Sequence, residues 1–350
     1  MSRSRRLPAV AAIVMVLGIP VAVVAQPAPR PDAAEAGRLD RARALSEARR
    51  AIHEGRPRDA IARLEALGTP EAPAVAHLLG VAAYHADDFA RAIATLTGVV
   101  GALPAGSVEH REAVQVLGLS LFLTGRFADA VPHLEATRRW AADNLELGHV
   151  LGQAYIQVGQ ADRARETLAA VFGVAPASAA AHVLAAQVMI RLEHEPLAEA
   201  ELKRALDKQP DLPRANLLLG QIAMFRGRLE ESATLTRKEI ALNPGDAMAF
   251  YQLGDVHVRQ SNWDAAAGAL QRSLWLNPFY SGPYILLGKV YTRKGQPATA
   301  EAMLRRAVQY DPNNRTAHYL LGQLLQQLGR VEEARREFEI AERLQGARLR

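Results

Sequence analysis

Residues 281–312, SGPYILLGKVYTRKGQPATAEAMLRRAVQYDP, contain the pattern that decides the fold. This segment has a glycine at 288, a second glycine at 295, an alanine at 300, a leucine at 304 and a proline at 312. The pattern recurs every 34 residues, and its first small residue stands at Gly118, Gly152, Ala186, Gly220, Gly254, Gly288 and Gly322. Such a fixed period predicts a repeat array in which each unit is one small structural motif.

Each position of the pattern has a mechanical interpretation as part of a helical hairpin. The first small residue lets two helices approach closely, because a side chain there would hold their backbones apart. The second glycine can adopt the left-handed conformation that ends a helix, with Glu193 and Ser261 as the exceptions. The alanine and the leucine lie one turn apart in the core of the second helix, which the proline stops. Asp246, Ser281 and Asn314 are predicted to cap the helix that follows.

At these positions the sequence resembles the tetratricopeptide repeat family, in its exported bacterial type. The resemblance implies an all-α fold, an α-solenoid of about nine helix-turn-helix repeats that forms a right-handed superhelix. Seven regular repeats are predicted in residues 111–348 and two irregular ones in residues 41–110. The phase slips in residues 101–110, which are interpreted as a longer loop over a continuous core, with a flexible joint as the alternative.

The N-terminal residues 1–25 have the features of a secretory signal peptide: a basic start, an apolar run and small residues at 23 and 25. An uncleaved membrane anchor is the alternative, because the apolar run is close to the ~20 residues that span a bilayer. Residues 26–40 are interpreted as a Pro/Ala-rich spacer. We therefore expect a periplasmic or secreted protein, or an inner-membrane anchored one with its repeats outside the cytoplasm.

The composition gives little support to catalysis or to nucleic-acid binding. The net charge is +5, but three of the arginines lie in the leader, and the rest of the chain lacks the concentrated basic face that nucleic acid requires. The chain has no cysteine, and its ten histidines form no metal-ligand spacing and are interpreted as partly exposed helix residues. We expect no catalytic residue, no cofactor, no metal site and no nucleic-acid partner.

The candidate site is the groove, because the first helix of each hairpin lines the concave face in tetratricopeptide arrays. The resemblance implies that the residue after each small position points inward, a series formed by Gln153, Gln187, Gln221, Asp255, Lys289 and Gln323. Glutamine amides are suited to the backbone of an extended peptide, although a polar, soluble lining would have the same composition.

A second inward stripe, four residues further on, carries Arg191, Arg259 and Arg293, with Arg214 nearby. These arginines would favour an acidic or C-terminal segment, unless they pair with the protein's own acids. Tyr251 and Tyr319 occupy matching inward positions and are candidates to anchor a ligand side chain.

These patterns favour a non-enzymatic protein–protein interaction scaffold in the periplasm or cell envelope. It would bind an extended segment of another protein in its concave groove, with polysaccharide-export or secretion assembly as the narrower expectation. The alternative is a self-assembling structural protein that stacks through its uncapped C-terminal helix, which carries Phe338, Ile340, Ala341 and Leu344. Contact with a membrane is expected only through the N-terminal segment, if it stays uncleaved.

Overall fold

The structure is a computed structural model that describes residues 33–69 and 72–348, so the predicted signal peptide and the start of the spacer lie outside it. In these residues eighteen α-helices follow one another, with one 3-10 turn at Val100–Ala102. They are α1 (Ala33–His53), α2 (Pro57–Glu65), α3 (Pro73–His85), α4 (Phe89–Val99), α5 (Val108–Leu123), α6 (Phe127–Trp140), α7 (Leu145–Gln157), α8 (Ala161–Val171), α9 (Ala179–Arg191), α10 (Glu195–Lys208), α11 (Ala215–Phe225), α12 (Leu229–Leu242), α13 (Ala247–Arg259), α14 (Trp263–Leu276), α15 (Ser281–Arg293), α16 (Pro297–Tyr310), α17 (Arg315–Gln327) and α18 (Val331–Arg348). None of these helices combines the length and the apolar character needed to cross a bilayer.

The helices pair in sequence order into nine hairpins. Each odd-numbered helix packs on the even-numbered helix after it, and that helix packs on the next hairpin. Odd-numbered helices of adjacent hairpins also pack on each other, as α1 does on α3 and α13 on α15, whereas even-numbered helices show no comparable packing among the described residues. The odd-numbered helices therefore form the inside of the curved stack, and the predicted all-α solenoid of about nine hairpins is confirmed.

The small residues allow the close approach that their spacing predicted. A Cβ atom on Gly288 would lie 2.5 Å from Cγ of Leu304, and one on Gly254 would lie 2.5 Å from Cγ of Leu270. Both leucines are buried, so each core side chain occupies the space that the glycine leaves free. This contact fixes the distance between the two helices of a hairpin.

The start of the eighth hairpin corrects one predicted cap. Asp246 accepts hydrogen bonds from the Met248 and Ala249 N–H groups, and Asn314 accepts one from Ala317, as predicted. Ser281, however, is the first residue of α15, and the N-cap position belongs to Tyr280. The reason is register: Tyr280 lies 34 residues from each of the two true caps, and packing sets the start of the helix even where no capping side chain is present.

The first helix begins earlier than the sequence indicated. Helix α1 starts at Ala33, so residues 33–40, which were assigned to the Pro/Ala-rich spacer, are helical. The last proline of that segment is Pro31, and the residues after Asp32 are mostly good helix formers. Nothing in the sequence therefore delays the helix until residue 41.

The apolar core continues across the irregular loop at residues 101–110. Val99 before the loop and Leu103 within it belong to the same buried cluster as Ala113 after it, and this cluster extends from Ala48 to Ile222. The arrangement is that of a longer loop over a continuous core, the first of the two interpretations given above. In the later hairpins the buried apolar residues form several smaller clusters.

The large apolar cluster gives way to the smaller ones at the sixth hairpin, where polar side chains replace the usual core residues. Thr236 takes the place of the core leucine and Ser232 that of the alanine, and both are buried. Ser232 donates to the Gly220 carbonyl at 2.7 Å, and Gln252 of the next hairpin donates to the Leu217 carbonyl at 3.0 Å and to the Thr236 hydroxyl at 2.9 Å. We call Ser232, Thr236 and Gln252 the polar layer.

Candidate binding groove

All eleven predicted groove residues lie on odd-numbered helices, which form the inside of the stack. They are Gln153 on α7; Gln187 and Arg191 on α9; Gln221 on α11; Tyr251, Asp255 and Arg259 on α13; Lys289 and Arg293 on α15; and Tyr319 and Gln323 on α17. None of them is fully buried. Their position follows from the hairpin register, whereas their part in binding remains a prediction.

A cavity of about 440 Å³ opens between α9 and α11. Its polar lining is Gln187, Arg191, Arg214 and Gln221, and its apolar lining includes Leu184 and Leu218. Within the described residues no carboxylate lies within 4.0 Å of either guanidinium group, so both are available to an anion. We call this space the α9–α11 cavity.

Arg214 lines this cavity, and its backbone is in the left-handed region, at φ 71°. Its N–H group donates to Glu239 Oε1 at 2.7 Å, and the carboxylate of Glu239 is buried on α12. Leu212 stands where the capping series of the other hairpins would place a polar residue, and α11 begins only at Ala215. A buried acid thus supports the N-terminus of α11 and holds Arg214 in place.

A second cavity, of about 530 Å³, opens between α15 and α17. Lys289, Arg293 and Gln323 line it together with Leu320 and Leu324. Neither cation has an ion-pair partner in the described part of the chain. This α15–α17 cavity therefore repeats the chemistry of the first one, with unpaired cations, a glutamine amide and an apolar wall.

Helix α13 lies between the two cavities, and its arginine is ion-paired, unlike the cations of the cavities. The Arg259 guanidinium lies 3.3 Å from the Asp255 carboxylate one turn away, so this arginine has the internal pairing that was the alternative interpretation. Tyr251 packs edge-on against Tyr280, at 5.1 Å between ring centroids, and burial raises the pKa of the Tyr251 phenol. The structure thus separates the candidate residues into two cationic cavities and a more neutral helix between them.

The two candidate tyrosines differ in accessibility. Tyr319 is exposed and its hydroxyl accepts a hydrogen bond from Gln323 at 3.1 Å, next to the α15–α17 cavity. Tyr251 is only partly exposed because Tyr280 covers its ring. Of the two, Tyr319 is the better placed to meet a ligand side chain.

The interpretation of the histidines as partly exposed is wrong for His77, His182 and His318, which are each at most 4% exposed. His182 Nδ1 lies 2.7 Å from Glu201 Oε2, and His318 Nδ1 lies 2.6 Å from Glu337 Oε2. Both histidines precede the small position by four residues and their acids follow 19 residues later, a recurring signal that sequence reasoning missed. Such pairs satisfy polar groups inside the stack.

The third buried histidine links two hairpins near the N-terminus. His77 Nε2 lies 3.0 Å from Glu112 Oε2, and the Arg49 guanidinium is 3.3 Å from the same oxygen. The close contact with His77 and the charge of Arg49 hold the pKa of Glu112 below its ordinary value. Across the residues that the structure covers, no three histidine or acidic side chains are arranged to hold a metal ion.

Comparison with known families agrees with the repeat register. Two family models, both described as tetratricopeptide repeat, match this chain: one matches residues 121–188 and 291–347, the other residues 190–247 and 217–281. Together these matches cover more than half of the sequence. The chain belongs to the tetratricopeptide repeat (TPR) family. TPR arrays are scaffolds for protein–protein contacts and are generally not enzymes.

Several solved TPR structures are similar to this TPR protein. PilF of Pseudomonas aeruginosa is 21% identical over 58% of this chain and 92% of its own, with a TM-score of 0.47. MamA (residues 41 to the end) from Desulfovibrio magneticus RS-1 is 22% identical over 48% and 96%, with a TM-score of 0.44. YrrB, described as a TPR protein with an unusual peptide-binding site, is 20% identical over 48% and 87%, with a TM-score of 0.40. No curated protein matches the chain.

Proposed function

We propose that this TPR scaffold holds an extended, acidic segment of a partner protein in its groove, within the periplasm or cell envelope. The observation that carries the proposal is the repetition of one chemistry in two cavities on the inner face. Each cavity combines unpaired cations with glutamine amides and a leucine wall. An acidic segment that also presents apolar side chains satisfies all three features.

Each group in the α9–α11 cavity has a distinct role in this proposal. Arg191 and Arg214 carry planar guanidinium groups that bind a carboxylate through paired hydrogen bonds. Gln187 and Gln221 make no hydrogen bond to another side chain among the described residues, and each offers an amide donor and acceptor to peptide backbone. Leu184 and Leu218 receive an apolar side chain of the same segment.

The α15–α17 cavity gives the segment a second point of attachment. Because both cavities belong to one array, a segment long enough to reach both gains from the high effective concentration of the second contact. Helix α13 lies between them and offers fewer free charges, since Asp255 neutralises Arg259. We therefore expect two acidic clusters in the partner, separated by a less charged stretch.

The test is recovery of partners from an envelope extract with the tagged full-length chain. The variants Arg191→Gln/Arg214→Gln and Lys289→Gln/Arg293→Gln are compared with wild type and with Arg58→Gln/Arg139→Gln, which removes two exposed, unpaired cations outside the groove. We expect the control to recover the same partners and the groove variants at least tenfold less, on the scale of lost charge-assisted hydrogen bonds. Equal recovery by all four proteins would contradict the proposal.

The envelope location rests on the predicted leader, and polysaccharide-export or secretion assembly is the narrower form of the proposal. Cell fractionation with N-terminal sequencing of the mature chain tests the location directly. A processed chain in the periplasm supports a signal peptide that is cleaved, and an unprocessed chain in the inner membrane supports the anchor. A cytoplasmic chain with an intact N-terminus would refute both.

Self-assembly through α18 is less well supported than groove binding. Phe338 packs over Gly322, where an added Cβ would lie 2.8 Å from the ring, and Ala341 is buried. Two of the four apolar residues that stacking would use therefore face their own hairpin, and Ile340 and Leu344 are already partly covered. Sedimentation equilibrium over a wide concentration range tests this alternative, and a monomer at every concentration would eliminate it.

A further inference from the structure

The outer face of the array carries a row of cations that the groove does not use. Lys238 on α12, Arg272 on α14 and Arg306 on α16 are spaced by 34 residues, so they occupy the same position in three consecutive hairpins. All three are exposed, and none has a carboxylate within 4.0 Å in the described part of the chain. Arg204 stands at the same position on α10, but its guanidinium pairs with Glu201 at 2.8 Å.

Two large aromatic side chains project into solvent beside this row. Trp275, near the end of α14, is 70% exposed, and Phe279, in the following loop, is 74% exposed. The Arg272 guanidinium carbon lies 4.0 Å from the centre of the Trp275 ring, and the Phe279 ring packs edge-on against Tyr310 at 5.8 Å. Leu242 is also exposed at the end of α12. We call Lys238, Leu242, Arg272, Trp275, Phe279 and Arg306 the outer patch.

The cations alone have a simple structural explanation, because charged side chains are the ordinary composition of a solvated helix face. That explanation does not cover the aromatic rings, since Trp275 and Phe279 keep most of their apolar surface in water despite their contacts with Arg272 and Tyr310. Tryptophan is favoured at the boundary between lipid headgroups and acyl chains, and basic residues are attracted to anionic headgroups. The exposed aromatic rings and the row of cations are therefore both suited to an anionic lipid surface.

We propose that the outer patch docks this protein on an anionic lipid surface. The even-numbered helices form the outside of the stack, so the docked array presents its groove away from the membrane and leaves it open to a partner. The predicted leader or anchor, which lies outside the described residues, would bring the chain to the same surface. This contact is independent of the groove and differs from the expectation that only the N-terminal segment meets the membrane.

The test places a fluorescent reporter inside the patch of the full-length chain. The variant Trp140→Phe/Trp263→Phe leaves Trp275 as the sole tryptophan of the chain. It is mixed with vesicles of phosphatidylglycerol and brominated phosphatidylcholine in equal parts, since bromine quenches tryptophan only at close range. We expect quenching of Trp275 that is absent with vesicles of brominated phosphatidylcholine alone and that weakens in high salt. Because only Trp275 reports, the N-terminal segment cannot produce this signal by itself.

Two further variants distinguish lipid binding through the outer patch from general charge attraction between the protein and the vesicles. In the same background, Lys238→Gln/Arg272→Gln/Arg306→Gln should raise the lipid concentration for half-quenching about a hundredfold, because each cation near an anionic leaflet contributes about a factor of five. Arg50→Gln/Arg58→Gln/Arg139→Gln removes the same charge from other exposed positions and should change it little. A variant that keeps only Trp263, about 18 Å away at the other end of α14, should stay unquenched.

Two outcomes would overturn the proposal. The first is a Trp275 that remains unquenched in anionic vesicles, or that is quenched equally in zwitterionic ones. The second is an emission change with polyglutamate but not with vesicles, which would assign the patch to an acidic protein. Far-ultraviolet circular dichroism of every variant shows whether the helices are intact, and these substitutions, which are exposed or replace one aromatic ring by another, should leave the spectrum unchanged.

Discussion

The turn inside each hairpin has one residue in the left-handed region, even where that residue is not glycine. Gly125, Gly159 and Gly227 have φ between 72° and 76°, while Glu193 and Ser261 have φ of 62° and 61°. Asp87 occupies the same position in the second hairpin, with φ of 61°. Packing of the two helices therefore imposes the turn, and a side chain at this position is held in a strained conformation.

Glu193→Gly and Ser261→Gly should each stabilise the protein. Glycine adopts a positive φ without strain, and part of that gain is lost because glycine makes the unfolded chain more flexible, so we expect a net increase of about 0.5–1 kcal/mol in the free energy of unfolding. Urea unfolding followed by circular dichroism measures the change. Two control variants should instead lower the free energy of unfolding by about 1 kcal/mol. Gly227→Ala places a side chain at a left-handed position, and Ala302→Gly places a glycine on the exposed side of α16, where it only weakens the helix. A loss of stability in Glu193→Gly would show that the turn is not strained.

Glu112 makes part of the acid stability depend on one inter-hairpin contact. Its pKa in the folded protein is lowered from an ordinary value near 4.5, chiefly by the close contact with His77 and then by the charge of Arg49. A lowered carboxyl pKa contributes stability that is complete above the ordinary value and is lost as the pH falls through the folded value. Between pH 6 and about pH 3, the melting temperature of Glu112→Gln should therefore fall less than that of wild type. Glu146→Gln, an exposed carboxylate without an ion pair, should follow the wild-type curve.

Single positions also mark the limit of what the sequence can predict. The close-approach glycines and the left-handed turns follow from spacing, because every hairpin repeats one packing problem. The conformation of Arg214 does not, since its N–H group donates a hydrogen bond to Glu239, 25 residues further along the chain. The pairing of Arg259 with Asp255 is a one-turn helical contact that spacing alone could have indicated.

Helix α11 differs from the other inner helices in how its N-terminus is stabilised. α13 and α17 have capping side chains of their own in Asp246 and Asn314, whereas α11 depends on Glu239 of its partner helix. The same carboxylate that supports the helix also directs Arg214 to the α9–α11 cavity. Folding of the sixth hairpin and the chemistry of the groove thus share one side chain.

Glu239→Ala should therefore weaken both the hairpin and the groove. It leaves the Arg214 N–H group without its buried acceptor, which costs about 1–3 kcal/mol, and it frees Arg214 to leave the left-handed conformation. Glu239→Gln keeps an oxygen that accepts the same hydrogen bond, so it should lose less stability and less partner binding. Urea unfolding and partner recovery from the envelope extract measure the two effects. If Glu239→Ala loses stability but recovers partners as wild type does, then Arg214 is not positioned by this bond.

The whole array has an uneven core. A single buried cluster joins the hairpins up to Ile222, and beyond the polar layer the clusters are smaller, although Met224 and Val256 still make an apolar contact across the boundary. In a repeat array, stability is the sum of the hairpins and of the contacts between neighbours, so a weaker interface divides the molecule into cooperative units. The sequence predicted seven regular units and two irregular ones, but it did not predict this division, which depends on Ser232, Thr236 and Gln252.

Hydrogen exchange should detect the division. Amides of α13–α18 should open with a lower free energy than those of α3–α10, because the polar layer couples them more weakly to the rest of the core. Ser232→Ala/Thr236→Leu/Gln252→Leu restores an apolar layer like that of the other hairpins. It should reduce the difference in opening free energy between the two sets of helices. If the amides of both sets of helices opened with the same free energy in the wild type, the polar layer would couple neighbouring hairpins as strongly as the leucine layers do.

The polar layer also acts on the distance between the two cavities, because one lies before it and the other after it. A small rotation at this one interface changes the length of partner that can occupy both cavities at once. Hydrogen bonds such as those of Gln252 tolerate sliding less well than leucine contacts, since they require defined angles. If the proposed acidic segment occupies both cavities, the geometry of the polar layer therefore sets the distance that must separate its two acidic clusters.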